Sequence, residues 1–269
     1  MKDLLEIAAQ ACRLGASILK EHYGKIGVSQ ADQKGLTDYV SEVDRRSEEA
    51  IQKFVLNELP ASSFLGEEEG QVGEGKEYRW IVDPLDGTSN YLLRFPAFAV
   101  SVALEKCSAF GGWGEVIAGA VTFPLTGDIW TAAKGSGASK NGSPIHVAQT
   151  LDVRGALLAT GFPYRESRDA ESCLRVFENV FNTCADIRRP GAAALDLCWV
   201  AEGVFDGFWE FGLKAWDIAA GGLIIKEAGG HFTSFDGDNV YLTSGNVVGG
   251  NPQIHQQMLN IIQNTLQSL

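Results

Sequence analysis

An apolar run, Trp80-Ile81-Val82, leads straight into Asp83-Pro84-Leu85-Asp86-Gly87-Thr88, and this junction constrains the chain more than any other stretch. Two carboxylates emerge where a strand must turn. Gly87 lets the backbone approach a ligand, and Thr88 can cap the next element. A short helix starting there would aim its first amides at an anion. Carboxylates for a cation beside amides for a phosphate suit phosphate chemistry, in which the metal bridges the two. The bare pattern is also served by a pair of Asx-turns.

Four other segments supply acids. Gly66-Glu67-Glu68-Glu69 follows the apolar Phe64-Leu65. Three adjacent acids repel unless something positive is near, and at most one or two can point the same way. Asp217, within Ala215-Trp216-Asp217-Ile218-Ala219-Ala220-Gly221-Gly222, opens a thin helix of small residues. An acid there is favoured by the helix dipole; if close packing buries it, it needs a partner such as a metal. Asp44 falls in the first turn of another helix, where it has the S-x-x-D spacing of a capping box with Ser41. Glu210, flanked by Phe208, Trp209 and Phe211, is either a solvent-facing strand residue or a pocket acid.

Around these segments, apolar spacing predicts an amphipathic helix over about residues 3–22, from Leu4 to Leu19. The polar stretch from Gly24 to Tyr39 reads as a loop or hairpin, and a second helix begins near Ser41 with a stripe of Ile51, Phe54, Val55 and Leu59. A run of largely antiparallel strands comes next: one stopping at Pro84, FAVSVALEK, and a hairpin of VIAGAVTFP with DIWTAAKG around Leu125-Thr126-Gly127. GSGASKNGSPI is turn-rich. Beyond residue 150 the pattern gives a strand in GALLATGF, helices over 171–182 and 192–202, and a strand pair or bulged strand in VFDGFWEF. A helix over 216–228 closes at Gly229-Gly230, NVVGG is a short strand, and Pro252 opens a last helix. Alternating helices and strands in layers make the class α/β or α+β. We expect one domain over 1–269, with subdomains of roughly 1–150 and 151–269.

Composition excludes several function classes. With 45% apolar and 21% charged residues, the chain is not globally disordered. A net charge of -12 denies it the footprint for non-specific nucleic-acid or anionic-membrane binding and leaves carboxylates to spare for a divalent cation. The 5 cysteines show no C-x-x-C and the 4 histidines no H-x-x-x-H, so metal ligands should be oxygens and the ion hard, as Mg²⁺ is. Reduced thiols, an N-terminus unlike a signal peptide and no run of about 18 apolar residues point to the cytoplasm. Neither a Walker loop nor a G-x-S-x-G elbow is present.

Together the segments resemble the inositol monophosphatase family of Mg²⁺-dependent, lithium-sensitive phosphatases. The likeness is carried by GEE at Glu67, by WIVDPLDGTSN from Trp80 to Asn90, and by AWDIAAGG from Ala215 to Gly222. The stretch from Asp38 to Asp44 fits a D-x-V-T-x-x-D element with Ser41 in place of Thr. The match runs from about residue 4 to residue 262. Ala215 before Trp216 and a Lys34 loop one residue short depart from the best-known members.

The resemblance implies a layered α-β-α-β-α sandwich and a homodimer. It implies that Glu67, Asp83, the Leu85 carbonyl, Asp86 and Asp217 bind two or three Mg²⁺ ions. Asp44 and Thr88 would orient and help deprotonate the attacking water. The Gly87 and Thr88 amides would hold phosphate, with Asp86 and Asp217 also facing the substrate. Glu210 would bind a polyol, and the backbone at Ala193 would contact a sugar-like ring. The implied reaction is hydrolysis of myo-inositol monophosphate by an activated water, with no covalent intermediate. Relatives with the same ligands act on histidinol phosphate, fructose 1,6-bisphosphate, NADP or 3′-phosphoadenosine 5′-phosphate. A haloacid-dehalogenase-type enzyme, with D-x-D-G-T near its N-terminus, matches less well. A non-enzymatic regulatory protein that kept the fold is the remaining alternative.

Overall fold

A computed structural model describes residues 2–25, 32–33, 39–40, 42–109, 112–163 and 170–269. Ser41, and with it the proposed capping box, lies outside the described residues, as do Lys34, Asp38 and the Tyr164-Arg165 segment.

The chain opens with α1 (Lys2–His22), whose Ala8, Ala11, Cys12 and Leu19 are fully buried. Two-residue strands β1 (Asp32–Gln33) and β2 (Tyr39–Val40) pair antiparallel, as a hairpin reading of this stretch requires. Helix α2 (Glu42–Glu58) then packs on α1 through Val43, Ile51 and Val55. Six strands come next in close order: β3 (Ser62–Gly66), β4 (Gly70–Val72), β5 (Tyr78–Asp86), β6 (Ala99–Lys106), β7 (Glu115–Phe123) and β8 (Asp128–Ala133), with the short α3 (Thr88–Leu92) between β5 and β6. The turn-rich tract holds turns at 134–136 and 141–142 and, between and after them, two more strands, β9 (Ala138–Lys140) and β10 (Ser143–Pro144). Asn141-Gly142, both at positive φ, make the tight turn between them. The eight strands form one sheet in the order β10-β9-β8-β7-β6-β5-β3-β4, antiparallel throughout except for the β3–β5 pair.

The second half adds β11 (Leu157–Thr160), α4 (Ala170–Phe181), β12 (Asp186–Arg188), α5 (Ala193–Ala201), β13 (Gly207–Glu210) and α6 (Ala215–Glu227). It ends with β14 (His231–Ser234), α7 (Tyr241–Ser244), β15 (Val247–Gly250) and α8 (Pro252–Gln267). VFDGFWEF holds a single strand, β13, rather than a pair, and β12 and β14 are strands that apolar patterning did not mark. Their order is β12-β11-β13-β15-β14, parallel across β12-β11-β13 and antiparallel beyond. Asn251 caps α8 by accepting from the Gln253 and Ile254 amides, with Pro252 at the first helical position.

Five layers result: α1 and α2, the eight-stranded sheet, α5 and α6, the five-stranded sheet, then α4 and α8. The first sheet ends at Pro144 and the second starts at Leu157, yet the apolar core between them draws on residues from Ile81 to Val247, on both sides of residue 150. The central helices are thin, as their small residues imply. A Cβ on Gly221 would meet Leu197 at 2.6 Å and one on Gly222 would meet Phe232 at 2.8 Å.

Candidate active site

Strand β5 does not stop at Pro84 but runs on to Asp86, with a bulge. Asp83 pairs with Ser101 and Asp86 with Ala99, so Pro84 and Leu85 together oppose Val100. Proline, lacking an N–H, is tolerated at such a break in the ladder. The bulge decides where the acids go. In a regular strand, residues three apart face opposite sides of the sheet. The extra residue cancels that inversion, and both carboxylates leave on the α5–α6 side, while Leu85 packs into the core under α1 and α2.

Asp83, Asp86, Glu67 from the β3–β4 turn and Asp217 from the first turn of α6 line one cavity of about 270 Å³ with Thr88, Ala193 and Glu210. Asp83 is 1% exposed, and its Oδ1 accepts the Leu85 amide at 3.0 Å. Burial, reinforced by Glu67, Asp86 and Asp217, pushes its carboxyl well above the usual range. Asp86 Oδ2 accepts the Ala194 amide at 2.7 Å, capping α5, whose own N-cap residue, Ala192, has no side chain able to do so. Asp217 Oδ2 accepts the Lys214 amide at 2.7 Å, so its capping reading and its place in the cavity hold together.

Gly87 turns the chain at φ 86, and α3 begins with Thr88. The Thr88 hydroxyl stands 3.1 Å from Asp44 Oδ1 and 3.1 Å from the Leu85 carbonyl. Thr88 lines the cavity; Asp44, 1% exposed, stands behind it. Glu210, at the end of β13, is 8% exposed and so is a pocket acid rather than a solvent-facing one. Gly161 makes room for it: a Cβ there would lie 2.1 Å from Glu210 Oε1.

Two contributors carry no mark in the local sequence pattern strong enough to single them out. Asn90 Nδ2 donates to the carbonyls of Ala97 and Pro190, at 2.7 and 2.9 Å, tying α3 to the loop before α5. Asp196 lies one turn beyond Ala193 in an apolar helix and is 1% exposed. Burial, with Glu210 and Asp86 nearby, pushes its carboxyl well up, against the opposing charge of Arg189. A lone acid in an otherwise apolar helix is the one sequence signal that could have found it.

Among the described residues, no three His, Cys, Asp or Glu side chains close around one point as a preassembled metal cage. The carboxylates of Glu67, Asp83, Asp86 and Asp217 still suit a hard cation chemically. Their donors are all oxygen, and their mutual repulsion, read in the Asp83 carboxyl, is what a bound cation would relieve.

Comparison with known proteins agrees with this frame. A model described as the inositol monophosphatase family matches residues 1–267. The "Fructose-1,6-bisphosphatase/inositol-1-monophosphatase" of Aquifex aeolicus (strain VF5) is 44% identical, covering 97% of this chain and 96% of that protein. The "Nus factor SuhB" of Escherichia coli (strain K12) is 39% identical, covering 96% and 95%. Among solved structures, the extragenic suppressor protein suhB from Bartonella henselae superposes with a TM-score of 0.90 at 37% identity, covering 97% of this chain and 98% of that one.

Proposed function

The chain belongs to the inositol monophosphatase family, and from that premise we propose that it is a Mg²⁺-dependent phosphomonoesterase hydrolysing myo-inositol monophosphate to inositol and phosphate. One observation carries the reading: Glu67, Asp83, Asp86, Asp217, Thr88 and Glu210 share a single cavity. At about 270 Å³ it falls at the small end for ligand sites, which suits a cyclic polyol phosphate better than NADP.

In this reading Glu67, Asp83, the Leu85 carbonyl, Asp86 and Asp217 hold two or three Mg²⁺ ions. When bound, Mg²⁺ supplies the positive charge that acidifies a water and balances the phosphate and the leaving oxygen. The protein's own groups do the rest. The Thr88 hydroxyl has one proton and two acceptors at equal distance. With that proton directed to Asp44, a Thr88 lone pair can accept from the attacking water, and Asp44 drives the relay from behind. First-turn amides lack intrahelical acceptors, so those of Gly87 and Thr88 can hold phosphate oxygens. Glu210 accepts from polyol hydroxyls, and the backbone at Ala193 abuts the ring. No side chain is placed to form a phosphoenzyme in this scheme, so water attacks in line.

A second substrate, fructose 1,6-bisphosphate, is favoured by the double name of the Aquifex relative. Among the described residues no helix is long and apolar enough to cross a membrane. A cytoplasmic homodimer completes the reading.

The test is phosphate release from inositol 1-phosphate, histidinol phosphate, fructose 1,6-bisphosphate, NADP and 3′-phosphoadenosine 5′-phosphate, each with Mg²⁺, with chelator and with added Li⁺. Mg²⁺-dependent, Li⁺-inhibited release is expected, fastest on the inositol ester. No release from any of them, with Mg²⁺ still binding, would favour a regulatory role.

A further inference from the structure

Helix α2 buries three polar side chains, Asp44, Ser47 and Glu48, none more than 1% exposed. Their spacing, i, i+3 and i+4, puts them on one face. Each holds a different piece of the cavity wall. Asp44 meets Thr88, and the Ser47 hydroxyl donates to the Pro84 carbonyl, in the bulge, at 3.1 Å. Glu48 reaches the turn after β3: its Oε2 accepts the Glu68 amide at 3.0 Å and its Oε1 the Glu69 amide at 2.7 Å. Gly66 lies so close that a Cβ would come within 2.3 Å of Glu48 Oε2.

Glu48 does not line the cavity, and a fourth acid beside Glu67, Glu68 and Glu69 is electrostatically unwelcome. Burial first, then Glu68 and Glu69, push its carboxyl up, against the two amide bonds. What it provides is position. Both amides that come after Glu67 are pinned to the helix that also pins the backbone between Asp83 and Asp86. The β3–β4 turn and the β5 bulge thus share one rigid reference.

We infer that Glu48 is a positioning residue: by fixing the turn on which Glu67 sits, it sets the affinity of the cavity for a divalent cation. The inference rests on the reading of Glu67 as a cation ligand. A glutamine at 48 offers one oxygen to two amides and turns its own NH₂ toward the other; an aspartate keeps the charge but shortens the reach.

Wild type, E48Q and E48D are titrated calorimetrically with MgCl₂ in the absence of substrate. Amide hydrogen exchange at Glu68 and Glu69 is followed, and the Mg²⁺ dependence of phosphate release is measured. In E48Q the two amides should exchange faster, and Mg²⁺ affinity should fall roughly 10- to 100-fold, the range for partners that orient metal ligands. The maximal rate at saturating Mg²⁺ should stay within about threefold of wild type, since the reacting groups are untouched. E48D should lose less, and it carries the comparison alone if E48Q does not fold. Faster exchange with unchanged Mg²⁺ affinity overturns the inference, as does a lower rate with unmoved Mg²⁺ half-saturation. A wild-type protein that neither binds Mg²⁺ nor needs it removes the ligand role of Glu67, and the proposed function falls first.

Discussion

Adding one methyl group at Gly161 should separate polyol recognition from hydrolysis. Gly161 comes directly after β11 with a backbone outside the left-handed region, so alanine introduces no φ strain there. The new Cβ would stand 2.1 Å from Glu210 Oε1, 2.3 Å from its Cδ and 2.4 Å from Oε2. Carbon–oxygen contacts are comfortable from about 3.3 Å, so the carboxylate must retreat by about 1 Å. Glu210 is only 8% exposed, which leaves that displacement few directions. A hydrogen bond to a charged group is worth about 1.5–3 kcal/mol, and a misplacement of about 1 Å can cost about 100-fold. For Gly161→Ala, kcat/KM on inositol 1-phosphate should therefore fall roughly 10- to 100-fold. An aryl phosphate without hydroxyls should lose less than about threefold, because the cation ligands and the Thr88–Asp44 pair are unaffected. Equal losses on both substrates, or no loss in a folded variant, would refute the placement of Glu210 against the polyol.

Three further outcomes are expected. Asp217→Asn should keep the α6 cap, because the amide oxygen can still accept from Lys214, yet Mg²⁺-dependent turnover should drop by about 10³-fold or more; wild-type turnover would remove Asp217 from the ligand set. Thr88→Ala and Asp44→Asn should each slow turnover by about 10²–10³-fold, and the double variant hardly more, if the pair acts as one relay; losses that multiply would break the pair. His255 gives a pH dependence: burial, then His231, lowers its pKa to about 4. The unfolded chain binds the proton first, so this contribution is complete above about pH 6.5 and is lost as pH falls toward about 4. Urea unfolding should show His255→Gln losing about 1 kcal/mol less stability than wild type between about pH 7 and 5.5; parallel pH profiles would refute it.

The segments that carry chemistry are legible because each is local. An apolar run ending in D-P-L-D-G-T, and an acid at the head of a small-residue helix, state both their element and their exposure within a few residues. The rest depends on distant partners. β12 and β14 are short strands defined by the neighbours they pair with, and β9 and β10 hide among glycines and serines because a hairpin edge needs no apolar face. Pro84 reads as the end of a strand because proline breaks a ladder; only the register against β6 reveals that the strand resumes. Glu48 is one of several acids in a charged helix, with nothing local to set it apart, and its two amide partners are 20 and 21 residues away.

The β5 bulge also makes the spacing of the two aspartates an arithmetic condition. Deleting either Pro84 or Leu85 would restore an unbroken ladder and leave composition and hydropathy nearly untouched. Asp83 and Asp86 would then be neighbours but one, on a common face without help, and each could keep its partner across the ladder, Ser101 and Ala99. The penalty would be local: the backbone of one residue would have to replace two, so the Pro84 carbonyl that accepts the Ser47 hydroxyl, or the Leu85 carbonyl that accepts the Thr88 hydroxyl and the amide that Asp83 accepts, would be lost. A chain with D-x-D-G-T at this place could thus keep both acids together and still lose the contacts that tie the bulge to α2 or seat the Thr88 hydroxyl. The second intervening residue lengthens nothing; it supplies the extra backbone that lets one strand answer Ser47, Asp83 and Thr88 at once.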